Sequence, residues 1–193
     1  MSLKTSLALF FVILTATTVF AEDHQLILWT RGKFVTPWYF YTGRHLTAEA
    51  RYNLDQEKTA TVCLGKQIGK ESFSVNPEAC GYVGKENGYG PEVWVLSETS
   101  KSSITSYVQY AKFKKTSAFG YAWFQQETKV TKHVGLGGGV QLFKEGKSGV
   151  DFDLGPSVKV RTGKLMFNVL PMWRTTPTDR GKLTISSGIF LEF

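Results

Sequence analysis

The fold of this chain is decided by residues 150–161, which read VDFDLGPSVKVR. Apolar residues or proline occupy every second position, beginning at Val150. The positions between them hold Asp151, Asp153, Gly155, Ser157, Lys159 and Arg161. A period of two is the repeat of a β-strand, because successive side chains of a strand point to opposite faces. This stretch therefore predicts a strand with one apolar face and one charged face.

The same alternation continues along the chain on both sides. It is clear in residues 165–174 and 183–193, and weaker in 46–53, 59–64 and 130–142. Short clusters of Gly, Ser, Thr, Asn and charged residues separate these segments and are typical of turns. From His45 onward they divide the chain into ten segments, which predicts about ten antiparallel strands, with eight or twelve as the alternatives.

Strand length and the charged faces distinguish a membrane barrel from a soluble sandwich. Crossing a bilayer takes about 9 to 11 residues per strand, which 150–160, 165–174 and 183–193 provide, whereas sandwich strands commonly have about 5 to 6. The apolar faces would meet lipid and the polar faces would line the interior. We predict an all-β fold, a closed antiparallel transmembrane β-barrel, with a soluble periplasmic β-sandwich or lipocalin-like binder as the alternative. The predicted lumen charge network comprises Glu49, Arg51, Asp151, Asp153, Lys159, Arg161, Lys182 and Glu192.

Composition excludes several other classes of protein. The chain has 193 residues, of which 42% are hydrophobic and two are cysteine, with 23 Lys and Arg against 16 Asp and Glu. These values exclude a disordered chain and a disulfide-framework miniprotein. A helical membrane bundle is excluded too, since only the N-terminus contains an apolar run near the 20 residues that a spanning helix needs.

The N-terminal run has the pattern of a secretory signal peptide. A short basic segment ends at Lys4, an apolar stretch covers residues 7–20, and the small residue Ala21 marks the cleavage site. We therefore predict a cleaved signal peptide over residues 1–21. The aromatic-rich residues 22–44 lack a long alternation and are predicted to be a periplasmic or plug-like segment. The barrel is predicted to occupy residues 45–193.

Export affects how the two cysteines are interpreted. In an oxidising compartment Cys63 and Cys80, which flank a turn-like segment at residues 69–72, are expected to form a structural disulfide. The three histidines, His24, His45 and His133, are too scattered for a metal site. No metal, cofactor or catalytic residue is assigned. An outer-membrane enzyme acting on envelope lipids, with His133 as its candidate residue, is kept as an alternative.

The C-terminal strand resembles a known family. Alternating apolar residues that include Ile185, Ile189 and Leu191 end in a carboxy-terminal Phe193. This pattern resembles the assembly signal of bacterial outer-membrane β-barrels. Residues 45–53 and the Gly-Tyr-Gly-Pro run at 88–91 are similar to a group of small, functionally uncharacterised bacterial barrel proteins. The resemblance implies an outer-membrane location and recognition of the last strand by the barrel assembly machinery.

These observations predict an integral outer-membrane protein that is not an enzyme. It would be a narrow porin-like channel, or a structural or binding barrel with a charged and largely filled lumen. Lysines such as Lys114, Lys129 and Lys147 stand near turns, where lipopolysaccharide phosphates and other outer-membrane lipids are a simpler partner than nucleic acid. The sequence leaves the solute and the oligomeric state open.

Overall fold

The computed structural model describes the chain over residues 23–32, 34–43, 46–54, 58–70, 72–147, 149–175 and 181–193. The predicted signal peptide lies outside these residues and stays a prediction. Within the described ranges the secondary structure is β-strand, and no helix there is long and apolar enough to cross a membrane.

Thirteen strands make up the described structure. They are β1 Asp23–Arg31, β2 Phe34–Thr42, β3 Thr47–Tyr52, β4 Thr59–Gly65, β5 Ile68–Lys70, β6 Phe73–Gly84, β7 Gly88–Glu98, β8 Ser102–Phe113, β9 Phe119–Lys129, β10 Val134–Glu145, β11 Asp151–Thr162, β12 Leu165–Arg174 and β13 Leu183–Glu192.

Antiparallel pairing closes these strands into a barrel. Each strand pairs with its neighbours along the chain, and β1 pairs with β13, placing Leu28 opposite Ile189. β4 pairs directly with β6, while the three-residue β5 pairs only with β6. The closed ring therefore contains twelve strands, with β5 as a short addition. Each of the twelve ring strands is paired on both sides within the described residues, as a lipid environment requires.

The strand count corrects the expectation of about ten and agrees with the alternative of twelve. The two additional strands are β1 and β2, which occupy most of residues 22–44, the segment expected to be periplasmic or plug-like. Aromatic or β-branched residues occupy both faces of β2, for example Trp38 and Tyr39, and hide its period of two. Because the addition is a pair, the count stays even, and Asp23 and Phe193 lie on the same side of the barrel.

The barrel has two different ends. Asp23 and Phe193 lie at the end that we call the termini end, together with the connections β2–β3, β4–β6, β7–β8, β9–β10 and β11–β12. The opposite end, called the loop end, carries the connections β1–β2, β3–β4, β6–β7, β8–β9, β10–β11 and β12–β13.

The distribution of side chains is the reverse of that in a soluble protein. Along β11 the apolar Phe152 and Leu154 are 39% and 46% exposed, whereas Asp153 between them is fully buried. The same holds for β13, where Ile189 is exposed and Ser186 is buried. Apolar side chains thus cover the outside of the barrel, and the buried charged side chains lie inside it, as expected for a barrel that meets lipid.

Candidate functional site

Large aromatic side chains narrow the middle of the lumen. They come from inward-facing positions of β1, β2, β7, β8 and β9, and we call them the aromatic waist: Trp29, Trp38, Trp94, Tyr107 and Trp123. The ring centroids of Trp94 and Tyr107 are 4.4 Å apart, and those of Trp29 and Trp123 are 5.0 Å apart. These tilted, close arrangements are favourable for aromatic pairs and make the waist a packed layer.

A cavity lies on each side of the aromatic waist. The loop-end cavity has a volume of about 390 Å³ and extends to Phe34 and Glu145. The termini-end cavity has a volume of about 620 Å³ and extends to Asp23. Trp29, Trp38 and Trp123 line both cavities. The lumen therefore consists of two vestibules that meet at the waist.

Arg51 on β3 anchors a buried polar network beside the waist. Its Nη1 donates to Glu49 Oε1 at 2.6 Å and to the Tyr107 hydroxyl at 2.8 Å. Both of its terminal nitrogens also donate to the carboxylate of Glu92. Trp94 Nε1 donates to Glu49 Oε2 at 3.3 Å. Because buried charges are costly without partners, this network fixes the positions of its members.

A second group of charges lies near the loop end. The Asp153 carboxylate is fully buried and forms an ion pair with Arg31, and Arg174 Nε lies 3.8 Å from its Oδ2. The Arg31 guanidinium lies 3.9 Å above the centre of the Phe143 ring, a favourable cation–π geometry.

A third group lies toward the termini end. Glu127 forms an ion pair with Lys159 and accepts a hydrogen bond of 2.6 Å from Gln125 Nε2. Arg161 Nη2 lies 3.2 Å from Glu192 Oε1, and both of these side chains are about two-fifths exposed.

The structure places the predicted lumen charges as follows. Glu49 and Arg51 pair with each other, as do Arg161 and Glu192. Asp153 and Lys159 are inside but pair with Arg31 and Glu127, which the sequence analysis did not single out. Asp151 occupies an inward position at the start of β11, whereas Lys182 lies in the exposed connection before β13, outside the strands.

Two reasons explain why the sequence analysis did not assign Arg31, Glu92 and Glu127 to the lumen. Arg31 belongs to a segment that was not interpreted as a strand. Glu92 and Glu127 lie on β7 and β9, where Trp94 and Trp123 share the inward face with the carboxylates. Aromatic residues on the polar face obscure its polarity. The regular spacing of Glu92, Trp94 and Leu96 was the signal that could have assigned this face.

Inward charges are unequal in sign over the described strands. The inward carboxylates are those of Asp23, Glu49, Glu78, Glu92, Glu98, Glu127, Glu145, Asp151, Asp153 and Glu192. The inward cations are Arg31, Arg51, Lys129, Lys159, Arg161 and Arg174. Carboxylates outnumber cations, although the chain as a whole is basic.

The two cysteines lie in the lumen wall. Cys63 and Cys80 are opposite each other on β4 and β6 and form a disulfide. Cys63 Sγ lies 3.7 Å from Glu49 Oε1, so the bridge adjoins the Arg51 network. Their sulfurs also lie within 4.8 Å of carboxylate oxygens of Glu78 and Glu92. A disulfide sulfur is not a thiolate, so the cysteines do not contribute the usual sulfur ligand for a metal.

The residues of the expected assembly signal lie on the outer surface. Ile185, Ile189 and Leu191 face outward from β13, and Phe193 follows the strand, stacking on His24 at 5.3 Å between ring centroids. His133, the candidate for an enzymatic role, is exposed between β9 and β10. Its Nδ1 lies 3.0 Å from the Arg161 carbonyl oxygen.

The fold and the divided lumen define the class of closed antiparallel β-barrels to which porins belong. The chain is similar to the KdgM porin, with 10% identity and a TM-score of 0.60 over 89% of this chain and 99% of that one. It is also similar to the NanC porin, with 9% identity and a TM-score of 0.58 over 89% and 98% of the two chains. No protein-family model and no curated protein matches the sequence. The likeness shows the fold that the three proteins share.

Proposed function

We propose that this protein is a porin-like channel of the bacterial outer membrane. The observation that carries the proposal is the pair of vestibules that enter from opposite ends and meet at the aromatic waist. An apolar exterior and a closed backbone suit insertion in lipid. The waist makes this a narrow channel, so that small solutes pass and large ones are rejected.

The side chains of the aromatic waist indicate which class of solute the channel would accept. The indole N–H groups of Trp38 and Trp123 are buried, and no described residue accepts a hydrogen bond from them. Aromatic faces with free donors suit a small solute that carries both apolar faces and oxygen acceptors, such as a sugar. One structure of the KdgM porin is described as a complex with disordered oligogalacturonate, a polyanion. The carboxylate excess of this lumen disfavours polyanions, and we propose neutral or cationic small solutes instead.

Two partners belong to the same proposal. The exposed apolar residues of β13 with Phe193 would be recognised by the barrel assembly machinery during insertion. Lysines at both ends of the barrel, such as Lys114 and Lys132, would contact phosphates of lipopolysaccharide and other outer-membrane lipids. A non-enzymatic role is favoured because, among the described residues, the His133 ring makes its hydrogen bond with a backbone carbonyl and not with a carboxylate.

Planar-bilayer recording tests the channel. We expect the purified protein to produce small, discrete conductance steps. Trp123→Ala should raise the single-channel conductance because this side chain lies in the waist and is only 7% exposed. Trp173→Ala is the matched control, since Trp173 faces outward and is 48% exposed. Absence of conductance in both the native protein and Trp123→Ala would reject the channel.

A further inference from the structure

A buried carboxylate in the lumen wall has no counter-charge. Glu78 on β6 is 4% exposed, and apart from a contact with the Thr47 hydroxyl its carboxylate oxygens make no hydrogen bond with any described residue. Glu78 is directly opposite Glu92 in the β6–β7 pairing, and oxygens of the two carboxylates lie within 4.8 Å of each other. Two carboxylates this close, away from bulk water, require a positive partner or a proton.

The nearby Arg51 guanidinium already pairs with other carboxylates. Arg51 donates to Glu49 and Glu92 and forms ion pairs with both. Glu92 also accepts hydrogen bonds from Tyr82 at 2.8 Å and from Tyr107 at 2.5 Å. Glu49 and Glu92 are thereby satisfied by the described residues, and Glu78 is not. The wall thus holds one arginine against three carboxylates.

Two further buried side-chain oxygens lie on the same wall. Thr47 on β3 is fully buried, and its Oγ1 makes no hydrogen bond with a described residue other than its contact with Glu78. Asn76 Oδ1, on a side chain 1% exposed, makes no hydrogen bond with a described residue. Thr47 and Glu78 are aligned across Gly65 of β4. Glycine at position 65 allows β4 and β6 to approach closely here, because a Cβ would lie 2.2 Å from the Pro77 carbonyl oxygen and 2.6 Å from Glu78 Cγ. Asn76 is two residues from Glu78 on the same inward face.

We propose that Glu78, with Thr47 and Asn76, forms a binding site for a hard divalent cation of the calcium class. All the candidate ligand atoms are oxygens, which are the ligands that Ca²⁺ prefers. A carboxylate can bind it in a bidentate manner, and water would complete the shell. Ser74, on the same face of β6, lines the termini-end cavity and marks the route of entry. None of these three residues belongs to the aromatic waist.

Calorimetric titration of the folded protein in detergent micelles with calcium chloride tests the site. At about pH 8, where an ordinary carboxyl group is ionised, we expect one calcium ion per chain. Removing the charge with Glu78→Gln should weaken the affinity by at least about tenfold. Thr47→Val should weaken it as well, and serves as a second variant if Glu78→Gln folds poorly. Heat-modifiable gel migration verifies that each variant is folded.

Glu98→Gln is the matched control. Glu98 is also an inward carboxylate, but it is half-exposed and paired with Lys129 at 2.7 Å, so its loss should leave the titration unchanged. A native protein that binds no calcium would overturn the site and indicate that the Glu78 carboxyl holds a proton. Equal affinities of the native protein and Glu78→Gln would also overturn it. Neither result depends on conductance, so the channel proposal is tested separately.

Discussion

At the scale of single residues, Arg51 is the buried cation that pairs with two carboxylates of the lumen. It is 7% exposed and holds the carboxylates of Glu49 and Glu92 next to the waist. A buried ion pair adds little net stability, because its attraction must offset the loss of hydration of both ions. Removal of one partner is nevertheless costly, since it leaves an uncompensated charge. The network therefore fixes where the waist aromatics stand more than it adds to stability.

Arg51→Met should lower the free energy of unfolding by about 3 to 5 kcal/mol, because two carboxylates lose their buried cation. Denaturant unfolding of the protein in micelles measures this change. Arg161→Met is the matched control: its ion pair with Glu192 is roughly two-fifths exposed, and its loss should cost about 1 kcal/mol or less. Adding Glu92→Gln to Arg51→Met should restore part of the stability. Equal losses for the two arginine variants would contradict this assignment.

At the scale of elements, the contact between β11 and β12 contains a local irregularity. Leu154 pairs with Trp173 and Val158 with Val169, but the residues between them do not pair. Pro156 and Pro171 lie in this interval, and neither has an N–H group for the ladder. Gly155 allows the strands to approach, since a Cβ there would lie 1.9 Å from the Pro171 carbonyl oxygen.

Gly155→Ala should therefore destabilise the barrel, by about 1 to 3 kcal/mol, because the added methyl forces the two backbones apart. Gly81→Ala on β6 is the matched control, since a Cβ at Gly81 meets nothing within 4 Å. The folded fraction, measured from heat-modifiable gel migration after refolding into vesicles, should fall for Gly155→Ala alone. A folded fraction of Gly155→Ala equal to that of the native protein would show that β12 can move away from β11 without loss of stability.

The strands differ in how well the sequence alone predicts them. β11, β12 and β13 were predicted with nearly correct bounds, because one face of each meets lipid and is regularly apolar. β1 and β2 were missed as barrel strands, since the inward Trp29 and Trp38 are as apolar as the outward side. The Arg51–Glu92 contact joins β3 to β7, which are separated in the sheet by β4 and β6. No local pattern encodes such a long-range contact.

For the whole molecule, the charge of the chain and the charge of the lumen have opposite signs. The formal net charge is +7, yet carboxylates outnumber cations among the inward residues of the described strands. Lysines such as Lys112 and Lys144 lie on outward-facing exposed positions. The average over the sequence therefore hides a division between an acidic interior and a basic exterior, which only the closed fold defines.

We expect the channel to prefer cations, because a narrow lumen with low-dielectric walls concentrates the field of its inward charges. The reversal potential under a potassium chloride gradient measures this preference. Glu145→Gln should reduce it, since Glu145 lines the loop-end cavity. Lys144→Gln is the matched control, because Lys144 is the next residue along β10 and faces outward. The effect should weaken as salt rises, since the screening length falls to about 3 Å at 1 M. Anion preference in the native protein, or equal shifts in the two variants, would contradict an acidic lumen as the source of selectivity.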